Sequence, residues 1–356
     1  MGEVCDTQLA SPARGHLFLR GCPVSIKRYW LWIAPAAVLA IAAAFWYLMR
    51  TEGLSSPGTA TPVRVMFVTG GPGEYWDDAV RGARAAAEKL KVDLDVKAPA
   101  DHENVSQQLE ILSYPNFTKI NGLGLSPLDA EGEAEIINRI AQVTKVITFD
   151  SDAPQTSRTT FVGTNNYAAG QLAAELTRKA LPEGGKVALL VVNLTKDNIQ
   201  ERKSGFSDTL AAEGDGSSKI EIVDVLEDHG QADRCAENIR KALADRPDLA
   251  GFTAMNGSEG PILLKTLRAN GNLGKVKLVT FDDAPDTLAG VEDGSIFATV
   301  VQDPYQFGYE TIRILAELSR GNEFMKPGGN STSKVLPVAV MKENLEEFRK
   351  RATSQK

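Results

Sequence analysis

Two acidic residues, Asp150 and Asp282, each end an apolar run rich in β-branched residues and lead into a proline turn. The first run is Val146-Ile-Thr-Phe-Asp-Ser-Asp-Ala-Pro154, and Leu278-Val-Thr-Phe-Asp-Asp-Ala-Pro285 repeats its pattern much later in the chain. A buried parallel strand ends in this way at the ligand-facing edge of an open α/β sheet. The repeat implies two similar half-molecules whose acids face one another across a cleft. A carboxylate in a dry cleft can accept hydrogen bonds from two vicinal hydroxyls without competition from water. The alternative for either acid is to cap the helix that follows.

Other chemistries find little support. Cys5, Cys22 and Cys235 form neither a CxxC pair nor a metal-like cluster, and His16, His102 and His229 are scattered without an HExxH spacing. No cofactor and no metal site is expected. The formal charge of -7, from 46 acidic and 39 basic residues, argues against a nucleic-acid surface, which needs clustered Lys and Arg to release counterions.

The elements that must position the two acids alternate in type. Val63 to Val68 reads as a buried strand, and Trp76, Ala79, Val80, Ala83, Ala87 and Leu90 follow at helical spacing. Strands are expected at 94–96, 122–125 and 146–149, with helices at 107–112 and 134–141 between them. A second series runs helix 168–181, strand 186–192, helix 200–212, strand 220–225, helix 234–244, strand 251–254, helix 260–269 and strand 276–281. Such alternation implies right-handed βαβ crossovers and mostly parallel sheets, hence two α/β lobes in tandem. Three elements remain, 296–302, a helix over 305–320 and 335–341, as though the chain crosses back between the lobes.

Upstream of the lobes, Leu31 to Met49 carries no charge and as a helix would span about 28 Å, close to the hydrocarbon thickness of a bilayer. Arg14, Arg20, Lys27 and Arg28 precede it, so the positive-inside bias puts residues 1–30 in the cytoplasm and everything after about residue 50 outside it. The competing expectation is a cleaved signal peptide with small residues at Ala40-Ile-Ala42. Residues 50–61, rich in Gly, Ser, Pro and Thr, have the composition of a tether.

Six segments, two of them within the acid-bearing runs above, carry a family likeness: Gly70-Gly-Pro-Gly-Glu-Tyr-Trp76, Thr148-Phe-Asp-Ser-Asp-Ala-Pro154, Val162-Gly-Thr-Asn-Asn-Tyr-Ala-Ala-Gly170, Gln200-Glu-Arg-Lys-Ser-Gly-Phe206, Phe281-Asp282 and Thr299-Val-Val-Gln-Asp-Pro-Tyr305. In this order they resemble the type 1 periplasmic binding proteins, specifically the ribose-binding-protein-like sugar receptors, over about residues 62 to 345. The resemblance implies two Rossmann-like lobes joined by a three-strand hinge, 62–164 with 303–332 and 165–302 with 333–345, leaving 346–356 as a tail. It places Tyr75 and Trp76 on the faces of a sugar ring, although Trp76 also fits the apolar stripe with Ala79 and Ala83. Asp150 and Asp282 become its hydroxyl acceptors and Arg202 its clamp, with a salt bridge as the other use of that arginine. Asn256 and Gln302 match further polar positions, their amides being equally suited to loop or hinge capping, while Asn198, one turn before Arg202, and Thr69, at the end of the first strand, are additional candidates for polar contact. Ser151 stands where ribose receptors carry an arginine.

The implied partners are a monosaccharide, a permease and an ATPase on separate chains, since no Gly-x-x-x-x-Gly-Lys-Ser/Thr segment occurs here. A monomeric receptor is expected, periplasmic and tethered to the inner membrane by its N-terminal segment. The other reading open to such a tethered domain is a sensor whose occupancy is passed to a kinase or chemoreceptor. An enzyme on the same fold would need a nucleophile with its base or a metal cluster, which paired acids alone do not supply.

Overall fold

Apolar runs become strands wherever both faces of a parallel sheet are covered. The computed structural model describes Trp46 and residues 62–113, 116–212, 219–322 and 332–355. The expected cytoplasmic segment, membrane-crossing run and tether therefore lie, Trp46 apart, outside the described residues; among the described residues no helix is long and apolar enough to cross a membrane.

The first lobe is built from β1 (Val63–Val68), α1 (Glu74–Leu90), β2 (Val92–Lys97), α2 (Val105–Leu112), β3 (Gly122–Leu125), α3 (Ala134–Ala141), β4 (Lys145–Phe149) and β5 (Thr160–Thr164). The second follows as α4 (Asn166–Ala180), β6 (Gly185–Val191), α5 (Asp197–Ala211), β7 (Ile220–Glu227), α6 (Ala232–Asp245), β8 (Leu249–Ala254), α7 (Glu259–Ala269), β9 (Lys277–Phe281), α8 (Pro285–Asp293) and β10 (Ala298–Val301). The chain then returns through α9 (Pro304–Ser319) and β11 (Thr332–Val335), and ends with β12 (Val338–Met341) and α10 (Leu345–Gln355).

These strands form two six-stranded sheets, ordered β11-β5-β4-β3-β1-β2 and β12-β10-β9-β8-β6-β7. Every pairing is parallel except β10 with β12. The chain passes between the sheets after β5, after β10 and between β11 and β12, and these crossings are the hinge. Because β11 pairs with β5, residues 332–335 belong to the first sheet, so the last crossing falls beyond 332, later than the sequence places it. Where a tail is expected, α10 is a helix whose Leu345 and Phe348 pack on the core of the second lobe. The run expected over 335–341 is two strands, one in each sheet.

Each lobe also contains a pair of helices crossing at glycines. A Cβ added at Gly82 of α1 would sit 1.9 Å from the Tyr305 carbonyl oxygen, and one at Gly308 of α9 equally close to that of Ala79. In the second lobe a Cβ on Gly170 of α4 would lie 1.9 Å from the Arg202 carbonyl oxygen, and one on Gly205 of α5 2.1 Å from that of Tyr167. Only glycine permits such backbone contact. The second crossing fixes the turn of α5 that carries Arg202.

Candidate functional site

Asp150 and Asp282 occupy equivalent places in the two lobes. Each backbone N–H extends the ladder by one residue, Asp150 to the Val162 carbonyl at 3.0 Å and Asp282 to that of Val300 at 2.9 Å. Each then turns into the left-handed region, with φ of 60° and 61° respectively. Aspartate tolerates this conformation better than β-branched or bulky residues do, which is one reason an acid suits the end of both strands. The Asp150 carboxylate accepts from Tyr75 Oη at 2.5 Å, Ser126 Oγ at 3.0 Å and, across the cleft, Asn198 Nδ2 at 3.4 Å. Burial, followed by the nearby Asp150 charge, raises the Tyr75 phenol well above its ordinary pKa, so it remains a donor. Asp282 accepts from Gln302 Nε2 on Oδ1 at 2.8 Å, and among the described residues its Oδ2 has no donor. Burial pushes this carboxyl up to about 7, against the lowering effects of Arg202 and Gln302.

Arg202 is fully buried, and its guanidinium lies 4.6 Å from the Phe281 ring centroid. Its Nε donates to Asn166 Oδ1 at 2.9 Å, one terminal nitrogen to the Met255 carbonyl at 2.7 Å and the other to Gln302 Oε1 at 2.7 Å. Thr164 Oγ1 donates to the same Gln302 oxygen at 2.9 Å. A relay thus runs from Arg202 through Gln302 to Asp282, anchored at two hinge crossings. The arginine places an acid rather than facing the opening itself.

Between the lobes lies a cavity of about 670 Å³, within the range of small-molecule sites. Tyr75, Trp76, Asp150, Asn256 and Asp282 line it, whereas Thr69, Ser151, Asn198, Arg202 and Gln302 do not. Thr69 and Ser151 are buried, and Thr69 uses its hydroxyl on the Gly71 carbonyl at 3.3 Å. The Asn256 amide donates to Ser258 Oγ at 3.1 Å. Trp76 stands edge-on to Tyr75, with centroids 5.1 Å apart, and edge-on to Phe149 at 6.3 Å, which holds the aromatic wall. A larger groove of about 900 Å³ lies behind the hinge, between α1, α10 and Leu336, but neither aspartate reaches it. Among the described residues no group of three or more His, Cys, Asp or Glu is placed to hold a metal ion.

The description "periplasmic binding protein domain" applies to the family that matches residues 64–323, most of the chain. The chain belongs to this family. Similar curated proteins include the D-ribose/D-allose-binding protein of Pseudomonas aeruginosa, 25% identical over 61% of this chain and 70% of that one. The ribose import binding protein of Salmonella typhimurium is 28% identical over 68% of this chain and 79% of its own. Among solved structures, a solute-binding protein from Burkholderia graminis C4D1M in complex with D-arabinose superposes with a TM-score of 0.72 at 28% identity, covering 80% of this chain and 96% of that one. A glucose-galactose binding protein from Geobacillus stearothermophilus gives 0.73 at 29% identity, covering 80% and 99%.

In this periplasmic binding protein the cleft also contains residues that sequence reasoning missed. Lys196 and Glu103, each with a side chain only 2% exposed, form an ion pair across the lobes at 2.9 Å, and the ammonium lies 5.8 Å from the Trp76 ring centroid. Beside them, Ala130 N–H donates to the Thr195 carbonyl at 3.2 Å and Thr195 Oγ1 to the Leu128 carbonyl at 3.1 Å. Burial holds the adjacent His102 imidazole below its ordinary pKa, favouring its neutral form. Glu103 follows β2 and Lys196 follows β6, so both sit at carboxyl edges of strands. That location was the available signal for them.

Proposed function

We propose that this chain captures a monosaccharide in its interlobe cleft and delivers it to the permease of an ABC importer whose ATPase is a separate chain. The observation that carries the reading is the placement of two acids, at matching strand ends of two lobes, in one cavity beside an aromatic pair. Tyr75 and Trp76 bury the C–H faces of a ring, Asp150 and Asp282 accept its hydroxyl protons, and Asn256 adds an amide. Arg202 and Gln302 support Asp282, and Asn198 supports Asp150, from behind. Closure about the three crossings buries the sugar, which acts by binding the closed form better than the open one. The receptor works outside the cytoplasm as a monomer, without a cofactor and without turnover, held to the membrane by its N-terminal segment. The named relatives above include an import protein, which favours delivery over the sensor reading.

Thermal unfolding of the purified chain against pentoses, hexoses and polyols tests this reading, since a ligand bound only by the folded state raises Tm. A shift with one class of sugar is the expected result. A shift only with amino acids or nucleosides would overturn the sugar assignment.

A further inference from the structure

The carboxylates of the cleft outnumber its cations. Among the described residues, Asp150, Asp282 and Glu103 line its inner part and Glu74 and Asp77 its rim, whereas the basic side chains on the same wall are Lys196 and His102. Lys196 is taken up by Glu103 at 2.9 Å, and burial favours the neutral form of His102. Arg202 spends its three donor nitrogens on Asn166, Met255 and Gln302 behind the wall. One acceptor therefore stands open: Asp282 is 8% exposed, lines the cavity and, among the described residues, has no donor on Oδ2, which packs against Gly257.

We propose that the ligand of this cleft is an amino sugar or aminated polyol whose protonated amine is held by Asp282 and Asp150. The proposal rests on the monosaccharide reading above and narrows its chemical class. An ammonium carries three donors and no acceptor, so it suits a wall with an open carboxylate oxygen and no free cation. A bond from a charged donor to a carboxylate is about twice as strong as one between neutral groups. The acids at the rim draw a cation inward, and they oppose a sugar acid or a sugar phosphate. The charged and titratable groups felt at or near Asp282 are Arg202 from α5, Asp150 from the end of β4, neighbouring Asp283, Tyr75 from α1 and buried Glu259 from α7. With the Asp282 carboxyl at about 7, an ammonium seated on it displaces a proton, whereas a neutral hydroxyl does not require this.

Isothermal titration of the full chain at pH 7 and low salt, in two buffers of different ionisation enthalpy, decides the matter. Glucosamine, galactosamine and mannosamine are compared with the parent hexoses and with their N-acetyl forms. The expected result is an amine bound at least about tenfold more tightly than its parent sugar, a difference of about 1.4 kcal/mol. N-acetylation should abolish that advantage. Binding of the ammonium form should displace protons from the Asp282 carboxyl, seen as an apparent enthalpy that differs between the two buffers. Asp282→Asn should remove the preference. The paired exposed substitutions Glu74→Gln and Asp77→Asn should slow association at low salt and leave dissociation unchanged. A parent hexose bound as tightly as its amine would overturn the proposal and leave the monosaccharide reading standing. No binding by any sugar or amine would overturn both. A preference that survives Asp282→Asn would refute the seat assigned to the amine.

Discussion

Asp282 combines a strained backbone, a buried carboxyl and an open acceptor, and its ionisation works against the fold. The folded carboxyl keeps its proton up to about 7, whereas the ordinary aspartate value is 3.8. The folded state therefore binds more protons between those values, and stability falls as pH rises through that window. Glu133, raised to about 8, and Asp197, raised to about 7, both mainly by burial, act in the same direction. The stability of Asp282→Asn relative to the parent should rise as pH climbs from about 4 to 7 and level off above, by an amount on the order of a few kcal/mol at most. Tm measured on both proteins across that range checks this, and a constant difference would contradict it. Arg202→Met removes the donors to Asn166 Oδ1 and the Met255 carbonyl and leaves Gln302 Oε1 held by Thr164 alone. It should cost about 2 kcal/mol or more, read as a shift in denaturation midpoint at unchanged m-value, because buried acceptors lose their partners. The acids were legible because a strand-ending carboxylate shows in one dimension. The inward placement of Arg202 was not, since a guanidinium at a helix start reads the same whether it meets a ligand or a glutamine.

Among the elements, the inner parallel strands β1, β3, β4, β6, β8 and β9 were read well because burial on both faces makes them continuous apolar runs. The missed elements lack that mark. β5 is five residues long with threonine at each end, and α10 offers few apolar residues among many charged ones. α8 opens directly on Pro285, a residue that marks a helix start as readily as a turn. The glycine crossing of α4 and α5 is a tertiary fact with no local signature beyond Gly170 and Gly205 themselves. Gly170→Ala would force apart the backbones that fix Arg202, with an overpacking cost of about 1–3 kcal/mol. Both the melting temperature and the affinity for the cognate sugar should fall, because the relay to Asp282 moves with α5. Unchanged affinity in a destabilised variant would separate the helix crossing from the site.

At the scale of the whole molecule, the cleft is closed by groups that come from different lobes and meet only when the lobes approach. Lys196 and Glu103 are each nearly inaccessible in this arrangement, so separation of the lobes would return both charges to water. A buried pair gains little net stability over well-packed apolar side chains, but removing one partner leaves the other charge buried and unpaired. Glu103→Leu should therefore penalise the closed form selectively, with the Lys196 ammonium left against Trp76. Ligand affinity should fall about tenfold or more, since a smaller closed population lowers apparent affinity in proportion. Solution scattering of the unliganded variant should show a larger radius of gyration than the parent. The double substitution Glu103→Leu with Lys196→Met removes both charges and should recover most of the lost affinity and compactness. If the single variant binds as the parent does, the pair is not part of closure; if the double variant is as impaired as the single, these side chains act through direct contact with the ligand instead.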